Sequence, residues 1–586
     1  MCGIFGVRRS WLARQPGDAK ERLSSALDAL RWRGRDDARI VLHGDFAIGC
    51  ARLAISDRRS SQPVSRRDGR WVAALNGAVT NARALWADAL PAALSRRALP
   101  NDAWLPLLLV QARGPAALAD LRGHHVCVVA DAARDEWHVS RDPFGEKPLF
   151  VLRERGEPVA FASTMPALRA LGAPFSLSSD ATQRFFRHGA LGALLHRSAD
   201  IEVADELRGF GNPVVADTQP SAQPMPFAAA LQRAVARCAD VDATLGMFLS
   251  GGIDSSCLAA ELGAQQRRVR AYQFLAKGEP SDERELAADV AARFGHELVR
   301  VDSGTEALDA LPMLTAHWGL PLGDPSVLAA YAVARAAAAD GIRVMLSGEG
   351  SDEQMFGYAR HRALLRMPNV RMRLPFVSNW SMGTTSRALR AIAAEDPYAA
   401  LLEVTPPAFW SDALSIDGAA QGAVASGVGA RGARDERLRH AAKVDREFYL
   451  RSDLLPKLDV ATMAAQVEGR CPFLDGDVAR ALDAMSPMQR LGKAPLRSAY
   501  AAKLPHAVFA QRKRGFALPL DRWFRGELPM LDLLRDQRTR QRAHLRATGL
   551  DRAIDLHRSR RADLGRALYL VAAFEIWLRT EDARCA

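Results

Sequence analysis

Leu245-Gly246-Met247-Phe248-Leu249 runs directly into Ser250-Gly251-Gly252-Ile253-Asp254-Ser255-Ser256, and this junction decides the fold of the larger part of the chain. The first five residues are an apolar run of strand length, and Cys257 to Leu262 continues as a helix. A strand that feeds a Gly-Gly turn and then a helix aims backbone N–H groups, hydroxyls and the positive end of the helix dipole at one point, and such a point holds phosphate. Gly251 and Gly252 let the backbone approach the anion closely. The Asp254 carboxylate repels phosphate and is expected to act through Mg²⁺. The Gly-Lys-Ser/Thr element of a Walker A loop is missing. The competing reading is an ordinary serine-rich turn that caps a helix.

Outward from this junction the pattern repeats. Arg268 to Leu275 reads as a strand, Glu283 to Phe294 as a helix, Glu297 to Val301 as a strand, and Ile342 to Leu346 as a later strand behind an Ala-rich helix. This alternation implies a parallel sheet with crossover helices. The last strand leads into Ser347-Gly348-Glu349-Gly350-Ser351-Asp352-Glu353. In a parallel sheet both loops emerge at the carboxyl ends of the strands, where ligands bind. Asp352 is suited to share the metal with Asp254, and Glu349 to act as a general base toward an attacking amine. Taken alone, the second loop also reads as a solvated acidic turn. Residues 375–440, rich in Ala, Gly and Arg, carry the least pattern, and the chain from Lys443 on reads as largely helical.

Before about residue 220 the text differs. Short β-rich runs at Ala38 to Cys50, Trp71 to Leu75, His125 to Ala130 and Glu136 to Ser140 suggest packed antiparallel sheets. Asn212 to Gln223, with Pro213 and Pro220, reads as a linker. The chain opens Met1-Cys2-Gly3-Ile4-Phe5-Gly6-Val7. Trimming of methionine before a small residue leaves Cys2 first, with its own α-amino group. That amine titrates near ~8 and a thiol near ~8.5, so the amine can take the thiol proton without a separate histidine. A disordered terminus is the competing reading, and the apolar, strand-like run argues for a buried first strand.

The 586 residues suit roughly three to four domain-sized units, or two larger ones. Seven scattered cysteines without CxxC or CxxH spacing argue against a disulfide framework or a zinc site. No charged-then-apolar leader is present, and apolar runs such as Trp104 to Val110 are far too short to span a bilayer. A cytoplasmic protein is expected, with no membrane partner. The net charge of +12 suits an anionic partner such as an acidic peptide. The arginines are dispersed and not interleaved with aromatics in one stripe, so a solvated basic surface is expected and nucleic acid is not.

Taken together, these motifs resemble the asparagine synthetase family, whose members join an N-terminal-nucleophile glutaminase to an ATP-pyrophosphatase-type synthetase. The resemblance spans nearly the whole chain. It rests on Cys2, Arg33-Gly34, Arg52-Leu53 through Asp57, Asn76-Gly77, and Arg141 to Gly145 with Pro148-Leu149. It rests further on Ser250 to Ser256, Gly348 to Glu353, Glu468 with Arg470 and Pro472 to Asp475, Lys493 with Arg497, and Lys513 through Gly515-Phe516 to Pro519 and Trp523. The fold it implies is α/β multidomain. An N-terminal antiparallel αββα sandwich occupies 1–210, a linker 211–225, and a C-terminal α/β domain with a parallel sheet and a helical extension 226–586.

The resemblance also implies roles. Cys2 attacks the glutamine side-chain amide, and the Asn76 side chain and the Gly77 N–H receive the oxyanion, each donor worth about 3–4 kcal/mol. Arg52 holds the glutamine α-carboxylate and Asp102 its α-ammonium. The second acid that usually follows Asn-Gly is replaced by Ala78, which implies a glutamine affinity roughly ten- to a hundred-fold lower. The usual His-Arg-Gly-Pro-Asp run is altered to Trp32-Arg33-Gly34-Arg35-Asp36. In the second half, Ser250, Gly251, Gly252, Asp254, Ser255 and Ser256 bind the pyrophosphate portion of ATP. Leu249, Ser347 and Gly348 lie beside the nucleoside, and Asp254 and Asp352 hold Mg²⁺. Glu349 is the base, and Lys493 neutralises developing charge. Arg470 either anchors a carboxylate or braces the Pro472 to Asp475 turn. The reaction expected is ATP-dependent amidation of a small carboxylate, most simply aspartate, with ammonia from glutamine. A lasso-peptide-type macrolactam synthetase acting on a peptide, with a decayed glutaminase half, is the alternative. A non-catalytic nucleotide-binding regulator is a third reading. A homodimer is compatible with each.

Overall fold

The computed structural model describes residues 2–55, 61–89, 102–174, 176–205, 214–215, 225–278, 283–372, 380–415, 431–510 and 518–585. The opening run forms the strand Cys2–Arg8 inside a seven-stranded antiparallel sheet. Phe46–Arg52, followed outward by Asp37–His43, flanks it on one side, and Glu157–Ala162, followed by Phe150–Glu154, on the other. Side chains alternate along the strand. Cys2 and Ile4 face a second sheet, whereas Phe5 and Val7 face the helices Ala19–Asp28 and Met165–Ala170. Burial on both faces explains why the run is apolar throughout instead of alternating.

The second sheet has Gly123–Asp131 at its centre, between Trp71–Val79 and Glu136–Arg141. Its outer face is covered by the helix Trp104–Arg113, which carries the apolar run Trp104 to Val110. The layers are therefore helix, sheet, sheet, helix. Among the described residues no helix is long and apolar enough to cross a membrane. The expected linker falls mostly outside the described residues. Within it Val214–Val215 forms a short strand, parallel to Glu136–Arg141.

From Phe227 the chain builds a five-stranded parallel sheet in the order Glu297–Ser303, Arg270–Ala276, Leu245–Phe248, Val344–Leu346, Glu468–Arg470. The helices Ile253–Ala264, Glu283–Phe294 and Ser326–Ala339 lie between consecutive strands in sequence. Strand order reverses between Leu245–Phe248 and Val344–Leu346, so the loops after these two strands flank the switch point at which open α/β sheets bind ligands. From Arg434 on, the chain is mostly helical and includes a π-helical stretch, Asp445–Leu454, that runs into the helix Leu455–Ala464.

Buried ion pairs join the two halves. The Arg33 guanidinium, fully buried, donates to Asp459 Oδ2 at 2.6 Å and Oδ1 at 2.9 Å, and its Nε donates to the Cys2 carbonyl at 3.3 Å. Breaking such a pair strands a buried charge, which costs about 3–5 kcal/mol. Asp459→Ala is therefore expected to lower the unfolding midpoint of the whole protein sharply. The double variant Arg33→Met/Asp459→Leu, which removes both charges, is expected to recover most of the loss in the same thermal or denaturant melt.

Candidate active site

Cys2 is 3% exposed. Its N–H donates to Asn76 Oδ1 at 3.1 Å. Asn76 is fully buried, and its Nδ2 has no hydrogen-bond partner among the described residues. A buried amide donor left open beside a nucleophile is what an incoming oxyanion requires. Gly77, next in the strand, has φ +115°, and a Cβ there would fall on the His124 carbonyl oxygen, so only glycine fits. Arg52 is the direct cross-strand partner of Cys2. The Gln62 amide donates Nε2–H to the Cys2 sulfur at 3.7 Å while its Oε1 accepts from Leu75 N–H at 2.8 Å. The Cys50 thiol, its neighbour across the strand pair, is foremost in holding the Cys2 thiol down at about 6. Burial opposes this, and the positive chain terminus, the Leu53 N–H and Arg52 add to it.

Asp102 lies in a cavity of about 830 Å³ together with Ala78, Val79, Arg122 and Arg470. Burial raises its carboxyl above the usual range, against the Val79 N–H and the Arg470 charge. Ala78 is the register partner of His124. His124 Nε2 lies 2.9 Å from Glu468 Oε1, and burial pushes this imidazole down to about 3. The neutral ring therefore donates Nε2–H to the carboxylate. The Arg470 side chain is held by two contacts within the protein. Its Nε pairs with Glu468 Oε1 at 2.6 Å and a terminal nitrogen donates to the Cys238 carbonyl at 2.9 Å, while Arg237 holds Asp475 at 3.0 Å.

The two switch-point loops line a second cavity, of about 1410 Å³. The helix Ile253–Ala264 begins there with no side-chain cap, so its first N–H groups face the opening. Ser250 Oγ accepts from Gly252 N–H at 3.2 Å, and Ser255 Oγ from Ser250 N–H at 3.2 Å. Ser250, Gly252, Asp254, Ser255, Ser347 and Gly348 line the cavity. The Leu249 side chain does not reach it. Strand alternation turns Leu249 into the core and presents Phe248 instead. Ser256 is likewise fully buried.

Lys493 is the hub of this cavity. Its Nζ lies 2.7 and 2.6 Å from the two Asp254 oxygens and 2.7 Å from Asp352 Oδ1. Gly357 must be glycine for this to exist, since a Cβ would strike both Asp352 Oδ1 and Lys493 Cε. Glu349 accepts from Lys457 Nζ at 2.9 Å. Burial lowers the Lys457 ammonium, but Glu349 and Asp324 outweigh it and raise it above the usual lysine range. Glu353 accepts from the Tyr358 hydroxyl and is pushed up to about 7 by burial and then by Glu349. The acidic loop is thus buried and paired, not solvated. No group of three or more His, Cys, Asp or Glu converges as a metal set among the described residues. Asp254 and Asp352 do converge on one cationic atom, an arrangement that fits a hard cation carried in with phosphate.

Residues 227–579 match the model of the asparagine synthase family, and residues 1–202 match that of the glutamine amidotransferase domain. The chain belongs to the asparagine synthase family. A putative glutamine-hydrolysing asparagine synthetase of Mycobacterium bovis is 28% identical over 641 residues, spanning 98% of this chain and 97% of that protein. Asparagine synthetase 1 of Bacillus subtilis is 25% identical, spanning 98% and 96%. Asparagine synthetase B of Escherichia coli is 28% identical over 381 residues, spanning 61% and 65%. Within the family this chain is a glutamine-hydrolysing ligase.

Of the family's motif positions, Asp57 and Lys513 to Phe516 lie outside the described residues. Cys50, Gln62, Asp324, Lys457 and Asp459 gave no local signal in the sequence, because each acts through a partner distant along the chain. Two outcomes are expected. Alkylation of Cys2 in the methionine-trimmed protein should rise with pH through about 6 and level off above it, as read by mass spectrometry of the N-terminal peptide. Lys493→Met should lower pyrophosphate release by on the order of 10²–10³-fold with either glutamine or ammonium, and leave that alkylation profile unchanged.

Proposed function

We propose that the protein amidates the side-chain carboxylate of aspartate at the expense of ATP, using ammonia released from glutamine by Cys2. The observation that carries this reading is the pairing of a depressed, buried Cys2 beside an open Asn76 donor with a switch-point cavity whose acids converge on Lys493. On this reading residues 1–210 form the glutaminase unit, 211–225 the linker and 226–586 the synthetase unit.

Cys2 gives its proton to its own α-amine, and the thiolate attacks the glutamine amide carbon. Asn76 Nδ2 and the Gly77 N–H receive the oxyanion, and the amine returns a proton to the departing ammonia. Arg52 and Asp102 hold the α-carboxylate and α-ammonium. In the larger cavity the acceptor carboxylate forms a bond to the α-phosphorus of ATP and pyrophosphate departs onto the Ser250–Ser256 loop. Ammonia then attacks the acyl carbon, AMP leaves, and Glu349 takes the surplus proton. Asp254 and Asp352 would hold a Mg²⁺ ion, which neutralises phosphate charge when bound. Lys493 carries the same task from the protein side. A small cavity of about 60 Å³ between the halves is lined by Glu146, Leu191, Asp453, Asp324 and Lys457, and the last two also line the ATP cavity.

The test supplies purified protein, Mg-ATP and aspartate with either glutamine or ammonium, and follows pyrophosphate and asparagine. Product with both nitrogen sources is expected. Cys2→Ala is expected to lose glutamine-dependent product by on the order of 10³-fold or more while keeping ammonium-dependent product. No asparagine from either source, together with pyrophosphate release on addition of a peptide carrying both an amine and a carboxylate, would replace aspartate as the acceptor.

A further inference from the structure

Cys50 lies on Phe46–Arg52 opposite Ile4, and Arg52 lies opposite Cys2. Residues two apart on a strand share a face, so Cys50 is the diagonal neighbour of Cys2 on the side that faces the second sheet. Both thiols sit in the same buried cluster with Ile4, Ile48 and Val126, and Cys50 is wholly inaccessible. A buried cysteine is ordinarily a small apolar filler. Cys127 in this same half is such a residue, and burial drives its thiol up to about 12. Cys2 is as deeply buried and is displaced in the opposite direction. What distinguishes it is a ring of donors: the Cys50 thiol, the Gln62 amide at 3.7 Å and the Leu53 N–H. The Gln62 amide has only one orientation available. Leu75 N–H occupies its oxygen, which leaves Nε2 for the sulfur.

Among the described residues the charged groups around Cys2 are few. Arg52 and the positive chain terminus favour the thiolate, and Arg33 reaches only the Cys2 carbonyl and is neutralised by Asp459. Burial and the neighbouring thiolate raise the Cys50 thiol well above its ordinary range, so Cys50 keeps its proton and can only donate.

We propose that Cys50 is a positioning residue of the glutaminase reaction, its thiol donating a hydrogen bond that, with the Gln62 amide, holds the Cys2 sulfur as an oriented thiolate. Cys50 transfers no proton and forms no covalent bond; the α-amine remains the base. The proposal rests on Cys2 being the glutaminase nucleophile, yet its test does not require turnover. In the methionine-trimmed protein, iodoacetamide labelling of Cys2 is measured against pH for the wild type, Cys50→Ala and Cys50→Ser. The alanine variant is expected to move the labelling midpoint up by about one pH unit. The serine variant, which restores a donor, should stay within a few tenths of a unit of the wild type. The acid limb of glutaminase kcat/KM should move with the labelling midpoint, and ammonium-dependent pyrophosphate release should stay within about two-fold. If the alanine variant does not fold, Cys50→Val refills the volume without a donor and should show the same upward shift. A labelling midpoint unchanged in the alanine or valine variant overturns the proposal, as does a serine variant shifted as far as either. Absence of glutaminase activity in the wild type, with the labelling shift present, would count against the nucleophile's role and not against Cys50.

Discussion

Buried carboxylates must be matched by buried cations, and this constraint organises the synthetase half. The switch point of the parallel sheet brings Asp254, Glu349, Asp352 and Glu353 to one place, and Asp352 and Glu353 are almost wholly excluded from solvent. Left alone, such groups would take up protons instead of remaining charged. Lys493 answers Asp254 and Asp352, and Lys457 answers Glu349. Glu353, whose partner is a neutral tyrosine hydroxyl, shows what happens without a cation, since its carboxyl rises to about 7. The helical region after the sheet therefore completes the site. Lys493 also adopts φ +63°, a left-handed conformation that costs a non-glycine residue energy. The strain sits on the residue that makes the cavity's central contacts.

The same constraint ties the two halves together. Lys457 and Asp459 sit two residues apart on Leu455–Ala464, and residues at that spacing point to different sides of a helix. Lys457 reaches Glu349 in the switch-point cavity, while Asp459 reaches Arg33, whose Nε holds the Cys2 carbonyl. One short helix thus reaches both the switch-point cavity and the strand that carries Cys2. Displacing it would leave a buried charge unpaired on both sides at once, which opposes its displacement.

What the sequence disclosed and what it hid follow from the range of each interaction. The Ser250–Ser256 loop was legible because strand, paired glycines and helix are consecutive, and Glu283–Phe294 forms the helix its residues suggest. Glu349, Asp352 and Glu353 were visible as acids, but not as buried ones, because their partners Lys457, Lys493 and Tyr358 lie outside the loop. Lys493 by itself looks like a surface lysine beside a glycine, and only the resemblance marked it. Leu249 was placed by its neighbours in sequence, and strand alternation gave the cavity to Phe248 instead. Cys50 and Gln62 were silent because their importance depends on register between strands, which no local pattern encodes.

The cavity around Asp102 is built from both halves. Asp102 is raised by burial and lowered by Arg470, which belongs to the last strand of the synthetase sheet. Arg470 is in turn neutralised by Glu468, which also accepts from His124 opposite Ala78. Ala78 leaves one negative charge fewer in the first half, and the Glu468–Arg470 pair that approaches from the other half is neutral in sum. The surroundings of Asp102 therefore draw on both halves, and the backbone carbonyl of Arg470 accepts from Ser347 N–H at 2.8 Å in the second switch-point loop. A residue whose side chain sets the charge of one cavity while its backbone holds the edge of the other cannot respond to one site without bearing on the second.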